Sequence, residues 1–226
     1  MYLLVVVGFL IVLYGIILYS TTQHNNFKER ELAYDYYLQT AVNFTITILL
    51  AVFLLVFQER LFVPFESFDI KRVIFFFLVI DAIYYWVHRT THRVPSLRRL
   101  FHAMHHDAVQ LVPLDFLHVT TLEYVMYILF TNLLPLIFLP MNIAEYGFVF
   151  LTVLAHAIYC HSDVDSSFVF PLFIDSAYHQ QHHQKSRGNY SVFFPIWDDF
   201  MKTRFVPMRS NETKENEPAK KDETRS

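Results

Sequence analysis

Apolar positions in this chain fall into long unbroken runs, with none of the period-two alternation of surface strands. Residues 1–19, 41–57, 73–87, 124–144 and 146–160 are five such runs, and only the third carries a charge, Asp81. About 20 apolar residues are needed to cross a bilayer as a helix. The pattern therefore predicts an all-α integral membrane bundle of about four to five transmembrane helices. Residues 1–19 lack the basic start and small-residue cleavage site of a signal peptide, so a retained helix is expected. Pro135 and Pro140 are expected to bend or end the fourth helix, because proline cannot donate to the helical ladder. A short apolar piece, 168–174, is too short to span and is expected at the interface. The segment 1–72 forms the N-terminal membrane helices, and the polar tail 206–226 is expected to be disordered.

Composition agrees with the pattern. Hydrophobic residues make up 54% of the chain and charged residues 17%, against about 25% charged in soluble domains. A net charge of −3 argues against a nucleic-acid partner. The single cysteine, Cys160, excludes an intrachain disulfide framework and a cysteine zinc finger. Basic residues are concentrated in 88–110 and after 184. The positive-inside tendency then puts the histidine-rich side, a cap on the bundle, in the cytoplasm.

Histidine is the anomaly. Eleven of the 12 histidines lie between His88 and His183, and His24 alone stands apart as a polar interfacial residue. His88 and His92 are spaced i, i+4, one turn apart on one helical face. His102, His105 and His106 form an HxxHH cluster, and His179, His182 and His183 repeat it. His118, His156 and His161 lie between them. A single HxxxH carries little weight, but three clusters in 226 residues would be a costly polar core without a shared partner. A metal is such a partner. Eight or more imidazoles exceed one four-coordinate zinc site and match two ions, for which iron, zinc and copper are all suited to imidazole. Asp81 lies two turns before His88 on the same face and is expected to orient a ligand imidazole from behind.

Three elements together resemble the fatty acid hydroxylase / sterol desaturase superfamily of membrane non-haem di-iron enzymes. They are Asp81-x-x-Tyr84-Tyr85-Trp86-x-His88-Arg89-x-x-His92, then His102-x-x-His105-His106, then His179-x-x-His182-His183 followed by Asn189-Tyr190 and Trp197-Asp198. The resemblance implies a catalytic domain over 73–205. It also implies two iron ions held by His88, His92, His102, His105, His106, His161, His179, His182 and His183, which form the catalytic set. His156 is a further candidate ligand, or else a polar residue at a helix end. His118 sits in His118-Val-Thr-Thr-Leu-Glu123, where many relatives have His-Pro-x-Glu, and is not counted among the ligands. Asp198 is a second candidate for supporting a ligand, or for capping structure near the interface.

The implied activity is iron- and O2-dependent hydroxylation or desaturation of a sterol or fatty-acyl-type lipid, the work of a monooxygenase or desaturase of lipid biosynthesis. O2 is the co-substrate, and electrons come from a separate donor, cytochrome b5-like or ferredoxin-like. The membrane is the endoplasmic reticulum in a eukaryote and the inner membrane in a bacterium. Two other readings account for some of these features: a membrane metal-binding or transport protein without oxygenase activity, and an inactive scaffold.

Overall fold

The uncharged runs become long helices in the computed structural model, which describes residues 2–23, 34–162 and 173–205. His24, most of 168–174 and the 206–226 tail lie outside the described residues. Helix α1 covers Tyr2–Gln23 and α2 Tyr34–Val56. Helix α3 covers Ile70–Arg93, α4 Thr121–Phe138, α5 Ile143–Cys160, α6 Ser176–Lys185 and α7 Ile196–Phe200. Among the described residues there is no strand. By length and composition four of these helices can cross a membrane: α1, α2, α4 and α5. Their outward faces carry exposed Leu4, Ile11, Leu49, Phe53, Ile137 and Phe148, the surface expected of helices bathed in lipid. The chain is a multi-pass membrane protein. The third apolar run forms α3 but is not one of the four, because Lys71, Arg72, Asp81, Arg89 and Arg93 interrupt or flank it.

Local chemistry sets the helix ends. Asp69 caps α3 by accepting from the Lys71 and Arg72 backbone N–H groups. Asn142 and Glu145 form a reciprocal capping box at the start of α5, which satisfies donors that the helix leaves unpaired. The fully buried Glu145 carboxylate also accepts from Asp69 N at 2.8 Å and from Arg72 Nη1 at 3.0 Å, so it ties the starts of α3 and α5 together. Helix α4 widens to a π-type turn at Leu129–Leu133, just ahead of Pro135, and stops short of Pro140. Both prolines thus act as expected.

Two apolar clusters hold the bundle. One joins Leu50, Leu54, Phe76, Ile80, Ile128 and Val149. The other packs Leu10, Ile17 and Phe44 of α1 and α2 on Val112, Leu114 and Leu117. That second contact is also polar. Asn43 donates to the Leu117 and Val119 carbonyls, Tyr36 donates to Asp115, and Thr21 accepts from Leu114 N. The first two helices therefore hold the loop that leads from the second histidine cluster to α4.

Candidate metal centre

Four stretches of chain bring their histidines to one end of the bundle. His88 and His92 project from the last turns of α3. His102, His105 and His106 lie in the short helical turns that follow, His161 caps α5, and His179, His182 and His183 belong to α6. They gather as two groups, within each of which one ligand atom per residue lies within 4.8 Å of the others. The first group is His88, His92, His102, His106 and His182; the second is His105, His161, His179 and His183. Eight of the nine are buried, and His92 is half-buried.

The outer nitrogens of four of these rings are held by backbone carbonyls. His88 Nδ1 donates to the Tyr190 carbonyl at 2.8 Å, His182 Nδ1 to Gly188 at 2.7 Å, His183 Nδ1 to Ala108 at 2.9 Å, and His161 Nδ1 to Ala157 at 2.8 Å. A carbonyl can only accept, so each Nδ1 carries the proton and each Nε2 presents a bare lone pair. Those lone pairs face one another. Nε2···Nε2 separations are 2.9 Å for His88–His102, 3.1 Å for His182–His106, and 3.2 Å for each of His183–His105, His183–His179 and His179–His161. Two nitrogens bound at about 2.1 Å to one ion, at right angles, lie about 3.0 Å apart. Bare lone pairs at this spacing repel unless a cation lies between them. Both ring nitrogens of His92, and Nδ1 of His105 and of His179, are buried without a hydrogen-bond partner. The donor set fits one metal ion in each group.

Burial holds the imidazoles neutral, the form a metal requires. Desolvation, reinforced by neighbouring histidines, lowers His102, His105, His179, His182 and His183 well below the usual histidine range. Desolvation also takes His106 down to about 3.

An apolar cavity of about 590 Å³ meets the histidines, within the usual range for small-molecule sites. Leu50, Ile128, Phe150, Val153 and Leu154 line it along α2, α4 and α5, and His88, His102, His105, His161 and His179 stand in its wall. The family model for fatty acid hydroxylases matches residues 73–203, over half of the chain and all nine histidines.

The chain belongs to the fatty acid hydroxylase family. Methylsterol monooxygenase erg25A of Aspergillus fumigatus is 32% identical over 143 residues, covering 58% of this chain and 46% of that protein. Very-long-chain aldehyde decarbonylase GL1-4 of Oryza sativa subsp. indica is 27% identical over 132 residues, covering 53% and 21%. Very-long-chain aldehyde decarbonylase CER1 of Arabidopsis thaliana is 25% identical over 132 residues, covering 53% and 21%. The chain thus spans less than half the length of these curated relatives. No solved structure matches it significantly.

The protein differs from the sequence expectation at several side chains. His156 stands in neither histidine group. Its Nε2 donates to the Val192 carbonyl at 2.7 Å and its ring stacks on Phe193. His118 packs on Tyr36, away from both groups. Asp81 meets no histidine ring either. It accepts from the backbone N–H of Phe193 at 2.9 Å and of Phe194 at 3.3 Å. Asp198 works in the same way, accepting from Tyr190 N, Ser191 N, Tyr178 Oη and Thr203 Oγ1. The two carboxylates therefore fix the segment 190–194, whose Tyr190 carbonyl in turn holds His88. Glu123 was passed over by sequence reasoning except as part of a variant motif, yet its Oε1 accepts from His102 Nδ1. Its only sequence signal was an acidic residue at the start of an otherwise uncharged run.

Proposed function

We propose that the protein is a di-iron lipid oxidoreductase that inserts oxygen into, or desaturates, a sterol or acyl-type chain held in the apolar cavity. The observation that supports this most directly is the set of paired, bare Nε2 atoms at 2.9–3.2 Å in the wall of a cavity suited to hydrocarbon. His88, His92, His102, His106 and His182 would hold one iron, and His105, His161, His179 and His183 the other. The iron pair, when bound, supplies the redox chemistry of O2 activation. For hydroxylation the balance is one C–H bond, O2, two electrons and two protons giving one C–OH bond and water.

The chain's own residues supply geometry. Backbone carbonyls and Glu123 fix the tautomer and tilt of His88, His161, His182, His183 and His102, which raises their strength as ligands. The cavity wall excludes water and presents a hydrocarbon chain to the second histidine group. His156 has its own carbonyl partner and serves structure. Electrons come from a separate donor, which meets the histidine end where half-exposed His92 lies beside Arg93 and within electrostatic range of Arg98. The concentration of basic residues at this end supports a cytoplasmic orientation. Among the proteins similar to this chain, methylsterol monooxygenase and the aldehyde decarbonylases are named for lipid chemistry.

The test combines metal analysis with lipid profiling. Purified protein is expected to carry about two metal ions per chain. Cells expressing it are expected to contain a lipid with one oxygen gained or two hydrogens lost, absent from cells expressing His182→Ala or His105→Ala at equal protein level. One ion or fewer per folded chain, or identical lipid profiles, would overturn the reading.

A further inference from the structure

Buried polar groups in a lipid-facing bundle find partners, so those left open point to a ligand. Most polar side chains in the cavity wall satisfy one another. Thr47 Oγ1 and Tyr124 Oη are 2.6 Å apart, Asn132 donates to Thr131 Oγ1 at 3.0 Å, and Tyr146 Oη donates to Asn132 Oδ1. Among those left open, two oxygens belong to residues that line the cavity next to its histidines. Glu123 uses Oε1 for His102, while its Oε2 is buried with no hydrogen-bond partner. The Tyr84 hydroxyl also has no hydrogen-bond partner among the described residues. Tyr84 sits one turn before His88, with ring centroids 5.2 Å apart, and lines the same cavity as Glu123. One open acceptor and one open donor thus stand beside the centre, at the polar end of a wall that is otherwise hydrocarbon.

We propose that Tyr84 and Glu123 form a hydroxyl-binding subsite that anchors an alcohol group of the lipid substrate beside the metal centre. A lipid hydroxyl matches this pair in its donor and acceptor: it donates to Glu123 Oε2 and accepts from Tyr84 Oη. The hydrocarbon then runs back along Leu50, Ile128, Phe150, Val153 and Leu154. The carbon presented to the centre lies within a few bonds of that hydroxyl, and the far end of the chain stays remote from it. This substrate class, a hydroxylated lipid oxidised near its polar group, rests on the lipid-oxidation reading above.

The experiment uses the full chain, detergent-solubilised and metal-loaded. Its probes are two matched pairs: hexadecan-1-ol with hexadecyl methyl ether, and cholesterol with its 3-O-methyl ether. Each ether keeps the hydrocarbon and removes the donor. The alcohol of at least one pair is expected to bind about tenfold or more tighter than its ether, the scale of a hydrogen bond to an otherwise unpaired buried acceptor. In Tyr84→Phe, which removes the donor from which the lipid oxygen accepts, the alcohol is expected to bind about threefold or more weaker than to the unaltered protein, with metal per chain unchanged. Equal affinities for alcohol and ether in the unaltered protein, an undiminished alcohol affinity in Tyr84→Phe, or binding of neither alcohol would each overturn the subsite. Metal counted in the same samples tests the metal reading separately, so a failed subsite in a chain holding two ions leaves that reading intact.

Discussion

His182 is held by a carbonyl that only an unusual backbone can aim. Gly188 has φ +72°, and a Cβ there would stand 2.5 Å from the Thr203 carbonyl oxygen and 2.9 Å from the Phe205 ring. Gly188→Ala thus meets both a conformational penalty and a clash with backbone. We expect lower thermal stability together with loss of metal from the first group, read as metal per folded chain. Full metal content in that variant would break the link between this turn and His182. Glu123→Ala removes the acceptor that holds His102, and changes of this kind typically cost about 10–100-fold in metal affinity or activity. Metal-competition titration against a chelator measures it. For Asp81→Asn the geometry sets a different expectation. Its two oxygens hold backbone N–H groups, and an amide retains only one good acceptor, at a cost of about 1–3 kcal/mol. The melting temperature should fall by on the order of 5 °C, with two metals still bound per folded chain. A normal melting temperature with lost metal would return Asp81 to the histidines.

Spacing along helices explains how much of this was legible. The HxxxH and HxxHH clusters marked the candidate ligands by spacing alone, but each HxxHH cluster is divided between the two groups, a partition that spacing does not give. Helical periodicity also put Asp81 and His88 on one face correctly, but could not say what lies opposite. Opposite that face runs one irregular segment, which meets Asp81 at residues 193–194 and His88 at residue 190. His156 and His161 are five residues apart, about 140° around a helix, so at most one could face the centre; sequence gave no way to choose. The carbonyls that fix the ring tautomers carry no side-chain signature at all. At the scale of one element, α6 supplies three candidate ligands from a single ten-residue helix, too short to be stable alone. Its start depends on Asp175, which accepts from Tyr178 N at 2.7 Å. Asp175→Ala should cost about 0.5–2 kcal/mol and weaken both groups together. Asp175→Asn should restore most of the loss, because it can still cap. Calorimetric melting with and without added metal distinguishes capping from direct ligation: a cap defect is offset by metal in excess.

Across the whole molecule, acid should act through the histidines. In the metal-free fold His102, His105, His106, His179, His182 and His183 are held below their ordinary range, so the folded state stays neutral where the unfolded chain, at about 6.5, takes up protons. Stability is thus present above about pH 6.5 and is lost as pH falls below it. Metal retention should fall over the same window, steeply, since several imidazoles must stay unprotonated at once. Metal per chain after dialysis from pH 7.5 to 4.5 checks this, and two ions retained at pH 4.5 would contradict it.

The two histidine groups also divide the chain unequally in time. Four of the five members of the first group, His88, His92, His102 and His106, precede residue 107, whereas three of the four members of the second, His161, His179 and His183, follow residue 160. A growing chain therefore carries most of the first set while the second set has a single member, His105. At about 5–20 residues per second, the synthesis that separates His106 from His179 lasts several seconds. During that interval the first group has four of its five members and the second has one. Completion of both groups thus waits on α6, which brings His182 to the first and His179 and His183 to the second.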